Sequence, residues 1–454
     1  MRFTTPLLSS AALLAMGTVG FAADLPSKKA APVEYVRVCS QFGAGFFYVP
    51  GSDTCLRVYG RVRADYYYNQ PFSRDSNTTS TRARGYVRLD SYTPTDWGPL
   101  RATTGIFVTR DSGRVTGGSG AAGGTTLPSG TDANITLDWA YIQFAGITAG
   151  RLPVSFFEFA PLGGVSMVGG NALGRGSDYG ANNVLAYTAQ FGGGFTATLA
   201  IEDGTERRVG IANAGADFKL LTGEKAPTYG GHSMPDVVGR LDYTGTWGQA
   251  ALTGAIHQTR VGSPGTKTRT MTAATGAVTE GFGNSYTNGA VGDTVYGFAI
   301  QGGLKINLPM IAAGDALFLQ AAYADGANSY TGWSTTGVGT FSTITSADVI
   351  YDPAGNAKTS KSYSVVGGLL HYWTPTVRQG VFVGYGKLDQ YGKLYDAAAL
   401  TVGTNVYWSP VKGLDIGAEV GYQKLTDTPN SALPLAVGSS RDNYFSRIRF
   451  QRDF

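Results

Sequence analysis

Three histidines, His232, His257 and His371, bound the acid–base chemistry open to this chain. Acyl transfer needs a nucleophile, a base and a group that orients the base. None of the three sits in a Gly-x-Ser-x-Gly context, and none has the His-Glu-x-x-His spacing that gathers two imidazoles and a carboxylate around zinc. Isolated histidines of this kind argue against an enzyme, whether a barrel lipase or another hydrolase. Cys39 and Cys55 are the two cysteines, and without a matching histidine cluster they make a poor zinc site. In an exported chain, an oxidising compartment would join so close a pair as a disulfide. The Gly192–Gly194 run is no phosphate loop, because no helical pattern follows it. No cofactor or metal is expected. What is left is arginine: Arg57, Arg61 and Arg63; Arg82, Arg84 and Arg88; Arg101; Arg447 and Arg449. Fixed guanidinium charges do no bond chemistry here, but lining a narrow aqueous gap they orient dipolar solutes and bias ion passage.

Such a gap needs walls, and the composition indicates strands. Glycine makes up 65 of 454 residues, charged residues only 15%, and there are 26 Tyr and 22 Phe. The net charge of +4 is too small for a nucleic-acid binder. Residues 1–22 carry one cation, Arg2, then an apolar run from Ala11 to Phe21 that ends in small residues. This is the layout of a secretory signal peptide cleaved after Ala22 or Ala23, with an apolar run too short to cross a bilayer. No other stretch approaches the ~18 apolar residues of a membrane helix.

From about residue 56 the mature chain alternates. Leu56, Val58, Gly60, Val62, Ala64, Tyr66 and Tyr68 fall on one face; Arg57, Tyr59, Arg61, Arg63 and Asp65 fall on the other. Lipid-facing and lumen-facing residues alternate in this way in transmembrane β-barrels. Leu400–Trp408 and Leu414–Tyr422 repeat the pattern and turn Asp415 and Glu419 inward, whereas alternation is poor near Tyr141 and Tyr363. Seven short turns recur: Thr93–Pro99, Ala145–Gly146, Gly192–Gly194, Gly245–Gly248, Asn307–Gly314, Thr374–Gln379 and Ser409–Gly413. Longer polar stretches lie between them, as at Asp203–Pro235 and Gly326–Ser360. Seven turns join fourteen strands, from the one ending near Tyr92 to the one beginning near Leu414, and Leu56–Tyr68 before them and Asp442–Phe454 after them bring the total to sixteen. The fold class expected is all-β: a sixteen-stranded antiparallel barrel whose closure removes edges that lipid would not tolerate. Sixteen strands leave an aqueous channel. Closure also sets the last strand beside the first, which assembles the arginines of strands sixteen, one, two and three into a single basic wall.

At Pro32–Arg63 the chain reads PVEYVRVCSQFGAGFFYVPGSDTCLRVYGRVR, followed by WAYIQFAGITAGR at Trp139–Arg151, SFFEF at Ser155–Phe159 and a terminal Phe454. These residues resemble the alphaproteobacterial general porins. The resemblance implies a homotrimer in the outer membrane, set among its lipid and lipopolysaccharide and open to small hydrophilic solutes and ions. It implies that the third long loop, Ser155–Asn182, folds into the lumen and narrows it. The constriction would then join Arg61, Arg63, Arg84, Arg88, Arg447 and Arg449 on the wall to Glu158 and Asp178 on the loop, with Arg175 of opposite sign among them. The expected behaviour is mild anion preference or near neutrality. Two other readings compete with passive diffusion. One is a selective channel for phosphate-like anions or sugars, although Tyr66–Tyr68 suit an interfacial girdle better than a sugar slide. The other is a soluble exported adhesin with Gly118–Gly124 as a linker, which lipid-facing periodicity disfavours.

Overall fold

The computed structural model describes residues 37–71, 77–112, 134–159, 165–167, 181–213, 228–262, 266–271, 278–283, 293–333, 346–351, 357–391, 396–427 and 441–454. Inside–outside alternation organises them. On the first long strand Val58, Val62, Tyr66 and Tyr68 are exposed on the outer face, while Arg63 and Asp65 are buried on the inner one. Among the described residues, sixteen such strands form the barrel. They are β1 (Cys55–Asn69), β2 (Thr79–Thr93), β3 (Leu100–Ser112), β4 (Asn134–Phe144), β5 (Ile147–Leu152), β6 (Asn182–Gly192), β7 (Phe195–Glu202) and β8 (Asp236–Gly245). The second half comprises β9 (Gly248–Gly262), β10 (Thr294–Asn307), β11 (Ala316–Asp325), β12 (Lys361–Thr374), β13 (Val377–Asp389), β14 (Ala397–Val411), β15 (Leu414–Asp427) and β16 (Arg441–Asp453). Each pairs antiparallel with its neighbours in sequence, and β16 pairs with β1 from Arg61↔Asp453 to Asn69↔Phe445. The sheet is therefore closed, and the fold expected from the alternation is the one observed.

The tight turns fall where glycine and small polar residues mark them. Between β6 and β7, Gly192, Gly193 and Gly194 all have positive φ, and a Cβ on Gly194 would lie 2.1 Å from the Thr244 carbonyl oxygen. That spacing admits only glycine. At the seam, Phe454 exchanges backbone hydrogen bonds with Gly60 at 2.8 and 2.9 Å. Its ring lies on the outer face, where a Cβ on Gly60 would meet it at 2.3 Å. Arg452, on the same outer face, donates to the Lys412 carbonyl in the turn below, a snorkelling cation at the barrel's rim.

Outward-facing aromatics form two belts. Phe191, Phe195, Trp247, Trp373 and Trp408 mark the short-turn ends; Tyr66, Tyr68, Tyr296, Tyr323, Tyr363 and Tyr444 mark the loop ends. Amphipathic rings at two levels bracket an apolar band, as the two interfaces of a bilayer require. Below β1, a short hairpin through Phe47–Tyr48 pairs with Cys55 and Leu56, and the Cys39–Cys55 disulfide ties it down with a Cα separation of 6.0 Å.

Candidate functional site: the lumen wall and its inserted loop

Antiparallel register converts inward-facing residues into horizontal rows. Toward the loop side, one row reads Arg449, Asp65, Arg82 and Asp111 across β16, β1, β2 and β3. Its charges alternate and pair: Arg449 Nε donates to Asp65 at 2.6 Å, and Arg82 Nε to Asp111 at 2.7 Å. The next row reads Gln451, Arg63, Arg84 and Thr109, so two cations stand side by side between neutral residues. Arg63 donates to Gln451 Oε1 at 3.0 Å, and Arg84 donates to Thr109 Oγ1 at 2.9 Å while stacking 4.1 Å above the Phe107 ring. Like charges directly opposite across strands are unfavourable, and the contacts with Gln451, Thr109 and Phe107 offset that cost. Below it, Arg61 donates to Asp453 at 2.6 Å, and Arg88 pairs with Asp90 at 2.7 Å while lying 4.5 Å over the Trp139 ring. Asp90 also takes Arg57 at 2.8 Å and Arg101 at 3.5 Å. One carboxylate thus gathers three guanidinium groups near the short-turn end.

The opposite inner wall carries fewer charges, and part of it is covered. There the described residues 155–159 and 165–167 of the third loop lie in the lumen, against strands from β7 round to β16. At its start, Glu202 accepts from Ser155 Oγ at 2.6 Å and from the Phe156 amide at 2.8 Å. Arg240 donates to the Phe156 and Glu158 carbonyls at 3.0 and 2.6 Å, and Thr253 Oγ1 to the Phe157 carbonyl at 3.0 Å. Phe157 packs among Ala186, Ala200, Val238, Ala255 and Ala299, and Phe159 and Val165 among Phe318, Val366 and Phe382. Farther round, Asn405 Nδ2 donates to the Val165 carbonyl at 2.6 Å, Glu419 accepts from the Met167 amide, and Arg447 donates to the Met167 carbonyl. The wall makes room for the loop with alanine and glycine. A Cβ on Gly303 would lie 2.4 Å from the Phe159 ring, and one on Gly417 would lie 2.3 Å from the Met167 methyl.

Of the residues singled out in the sequence, Arg61, Arg63, Arg84, Arg88 and Arg449 stand together on one wall. Arg447 lies at its edge, where the loop arrives, with its guanidinium 4.4 Å over the Tyr67 ring. Arg63 and Arg449 are buried within the wall, whereas Arg61, Arg84 and Arg88 are partly exposed. Glu158 is placed differently from the expectation of an acid facing this wall. Its carboxylate is buried and paired with Arg207 of the fourth loop at 3.0 Å, because it sits on the segment pressed against the opposite side. Asp178 and Arg175 lie outside the described residues. Cys39 and Cys55 form the expected disulfide. Sequence reading missed Glu202, Arg240, Asn405 and Arg207, which anchor the loop. For Glu202, Arg240 and Asn405 the signal was a polar or charged residue at an inward strand position, read for Asp415 and Glu419 but not for these; Arg207, in the fourth loop, carries no such signal. Among the described residues, no group of three or more His, Cys, Asp or Glu side chains is placed to hold a metal ion.

A closed sixteen-strand barrel with aromatic belts, a wetted charged wall and a loop folded inside is the architecture of an outer-membrane channel. A family model described as "Porin subfamily" matches residues 24–446. The chain belongs to the porin subfamily. It is similar to Porin Omp2b of Brucella suis and of Brucella melitensis, at 31% identity in each case over 84% of this chain and 96% of the relative. Among solved structures, the outer membrane channel DcaP of Acinetobacter baumannii shares the fold with a TM-score of 0.56, covering 90% of this chain and 99% of that one at 15% identity. As a porin, this chain resides in the outer membrane and lets small hydrophilic solutes diffuse passively across it, and its family and relatives point to a channel.

Proposed function

We propose that the porin's selectivity resides in the gap between the arginine wall of β16, β1, β2 and β3 and the inserted third loop, and that it gives a mild preference for anions. The observation that carries this is the row Gln451–Arg63–Arg84–Thr109, in which register sets two cations side by side. The rows on either side temper it with Asp65, Asp111 and Asp453, so the bias is small and falls with salt, since a gap of about 10 Å is already about one Debye length. Reversal potentials under a KCl gradient in planar bilayers test the reading. A small anion-directed value is expected, and strong cation selectivity contradicts it.

A second reading, a channel selective for anionic or sugar-like solutes, is favoured by the rings interleaved with the arginines. Tyr59, Tyr86, Phe107, Trp139 and Tyr141 share this wall. Conductance block that saturates with one class of neutral sugar or anion would favour it over general diffusion. We also assign the assembly as a homotrimer. Support comes from the outer face of β2, where Thr81, Ala83 and Gly85 stand in place of the bulky residues found elsewhere, and the space over Gly85 is open. An unheated electrophoretic band of three times the chain mass is the expected outcome. Cleavage of the first 22 or 23 residues is checked by N-terminal sequencing of the mature protein.

A further inference from the structure

Three inward rows below Arg63 and Arg84, about 20 Å farther along the strands at the β rise, guanidinium groups from β1, β2 and β3 converge on one acid. Asp90 is fully buried, and its oxygens accept from Arg57 Nη2 at 2.8 Å, Arg88 Nη2 at 2.7 Å and Thr103 Oγ1 at 2.8 Å. With those bonds made, Arg101 Nη2 stands 3.5 Å off, and its Nη1 donates to Gln143 Oε1 at 3.1 Å instead. Three cations around one carboxylate leave two positive charges in excess. The Nε donors of Arg57 and Arg101 have no acceptor among the described residues, so the cluster is short of oxygen. Aromatic rings hold the guanidinium faces: Arg57 lies 4.8 Å over Phe46, Arg88 4.5 Å over Trp139, and Arg101 lies 5.3 Å from Tyr92 and 5.2 Å from Tyr141. A ring against that face leaves the N–H groups, which lie in the guanidinium plane, to bind an anion. The disulfide-tied hairpin supports this arrangement. Phe42 stacks on Tyr92 at 4.9 Å, Phe46 meets Tyr92 edge-on at 5.4 Å, and both pack with Cys39 and Cys55.

We propose that Arg57, Arg88 and Arg101 form an oxyanion subsite on the short-turn, periplasmic side of the Arg63–Arg84 row, taking a tetrahedral anion of the phosphate class, with Phe46 of the disulfide-tied hairpin as a positioning residue. It rests on the reading of this chain as a pore whose wall favours anions. Guanidinium forks match the oxygens of carboxylate and phosphate alike. Forks that arrive from three strands with two charges in excess favour an anion that carries more than one charge and presents oxygens in several directions. A carboxylate brings one charge and two coplanar oxygens, which Asp90 already supplies from below. A neutral sugar gains nothing from the excess charge. The subsite acts separately from the Arg63–Arg84 row, because about 20 Å is more than two Debye lengths in physiological salt. Conduction requires that such a site hold its ion weakly enough to release it, so occupancy slows the current rather than sealing the pore.

The test is chloride current through the purified full-length protein in planar bilayers, with inorganic phosphate added to each side in turn at constant ionic strength. Phosphate is expected to reduce the wild-type current saturably, and at a lower concentration from one side than from the other, because the site lies off-centre. Acetate and sucrose should reduce it far less. Arg57→Gln and Arg101→Gln should each raise the half-blocking phosphate concentration several-fold and erase the difference between sides; either variant carries the test if the other fails to fold. Phe46→Leu should raise it by a smaller factor, and Phe46→Tyr, which keeps the ring, should restore it. His371→Gln, near the short-turn end of β12, should block as wild type. No saturable block by phosphate, equal block by acetate, or wild-type block in both arginine variants overturns the subsite, and wild-type block in Phe46→Leu overturns the positioning role. An anion-directed reversal potential without phosphate block leaves the selectivity reading standing, whereas absence of any current in the wild type overturns the pore reading itself.

Discussion

The two halves of the inner wall are built on opposite principles. From β16 through β3, inward positions carry arginine and aspartate in rows, and their charged groups face one another across the strands. From β6 through β13, inward positions carry fewer charges and include many alanines and glycines, and part of this face is covered by loop residues Phe157, Phe159 and Val165, buried as in a protein core. The first half sets partly exposed Arg61, Arg84 and Arg88 beside buried Arg63, Arg449, Asp65 and Asp90; the second is a packing surface for the described part of the third loop. A porin lumen is therefore not uniformly polar. The parity rule tells which residues point inward, and a second distinction, covered or wetted, tells what an inward residue does.

Four substitutions sharpen this comparison. The largest effect belongs to Glu202→Leu, which leaves Ser155 Oγ, the Phe156 amide and Asn182 without their buried acceptor. A loss of about 3–5 kcal/mol is expected when one side of a buried charged cluster is removed. It should be read as release of the third loop, with raised conductance and an earlier thermal transition of the detergent-solubilised protein. Unchanged conductance would show that the loop is held elsewhere. Cys39→Ser comes next, with about 2–4 kcal/mol lost by opening the disulfide. Because this hairpin lies at the short-turn end, the thermal transition should move while the response to Glu202→Leu stays the same. Gly303→Val comes third, driving methyl groups into the Phe159 ring. Overpacking of this kind costs about 1–3 kcal/mol, and the same change at Gly85, on the open outer face of β2, should be nearly silent in the monomer. Arg84→Glu, on the wetted wall, should change stability least, by about 1 kcal/mol or less, while altering ion preference. That separation of stability from selectivity is what distinguishes the two walls.

Much of the fold was legible because a period-two signal recurs along the chain and the turns carry their own chemistry. The turns Ala145–Gly146 and Gly192–Gly194 fall between paired strands as the glycine runs indicate. Two strands resisted for different reasons. Near Tyr141 the register of β4 against β3 shifts at Gly105/Ile106, so one residue bulges and the parity flips midway. Near Tyr363 the alternation is physically present, but Ser362, Ser364 and Gly368 face inward beneath loops, where small residues are needed, so polarity alone does not mark the face. The arginine wall could be assembled from sequence because ring closure brings β16 to β1. The destination of Glu158 could not, since its partner Arg207 lies in a different loop and nothing local specifies the meeting.

The central claim, that the wall bearing Arg84 faces the permeating ions, is tested most directly by the reversal potential of Arg84→Glu beside that of the wild type, under one KCl gradient in planar bilayers. A shift toward cations at near-unchanged thermal stability is the predicted result. An identical reversal potential in the two proteins would contradict it, placing Arg84 away from the ion path.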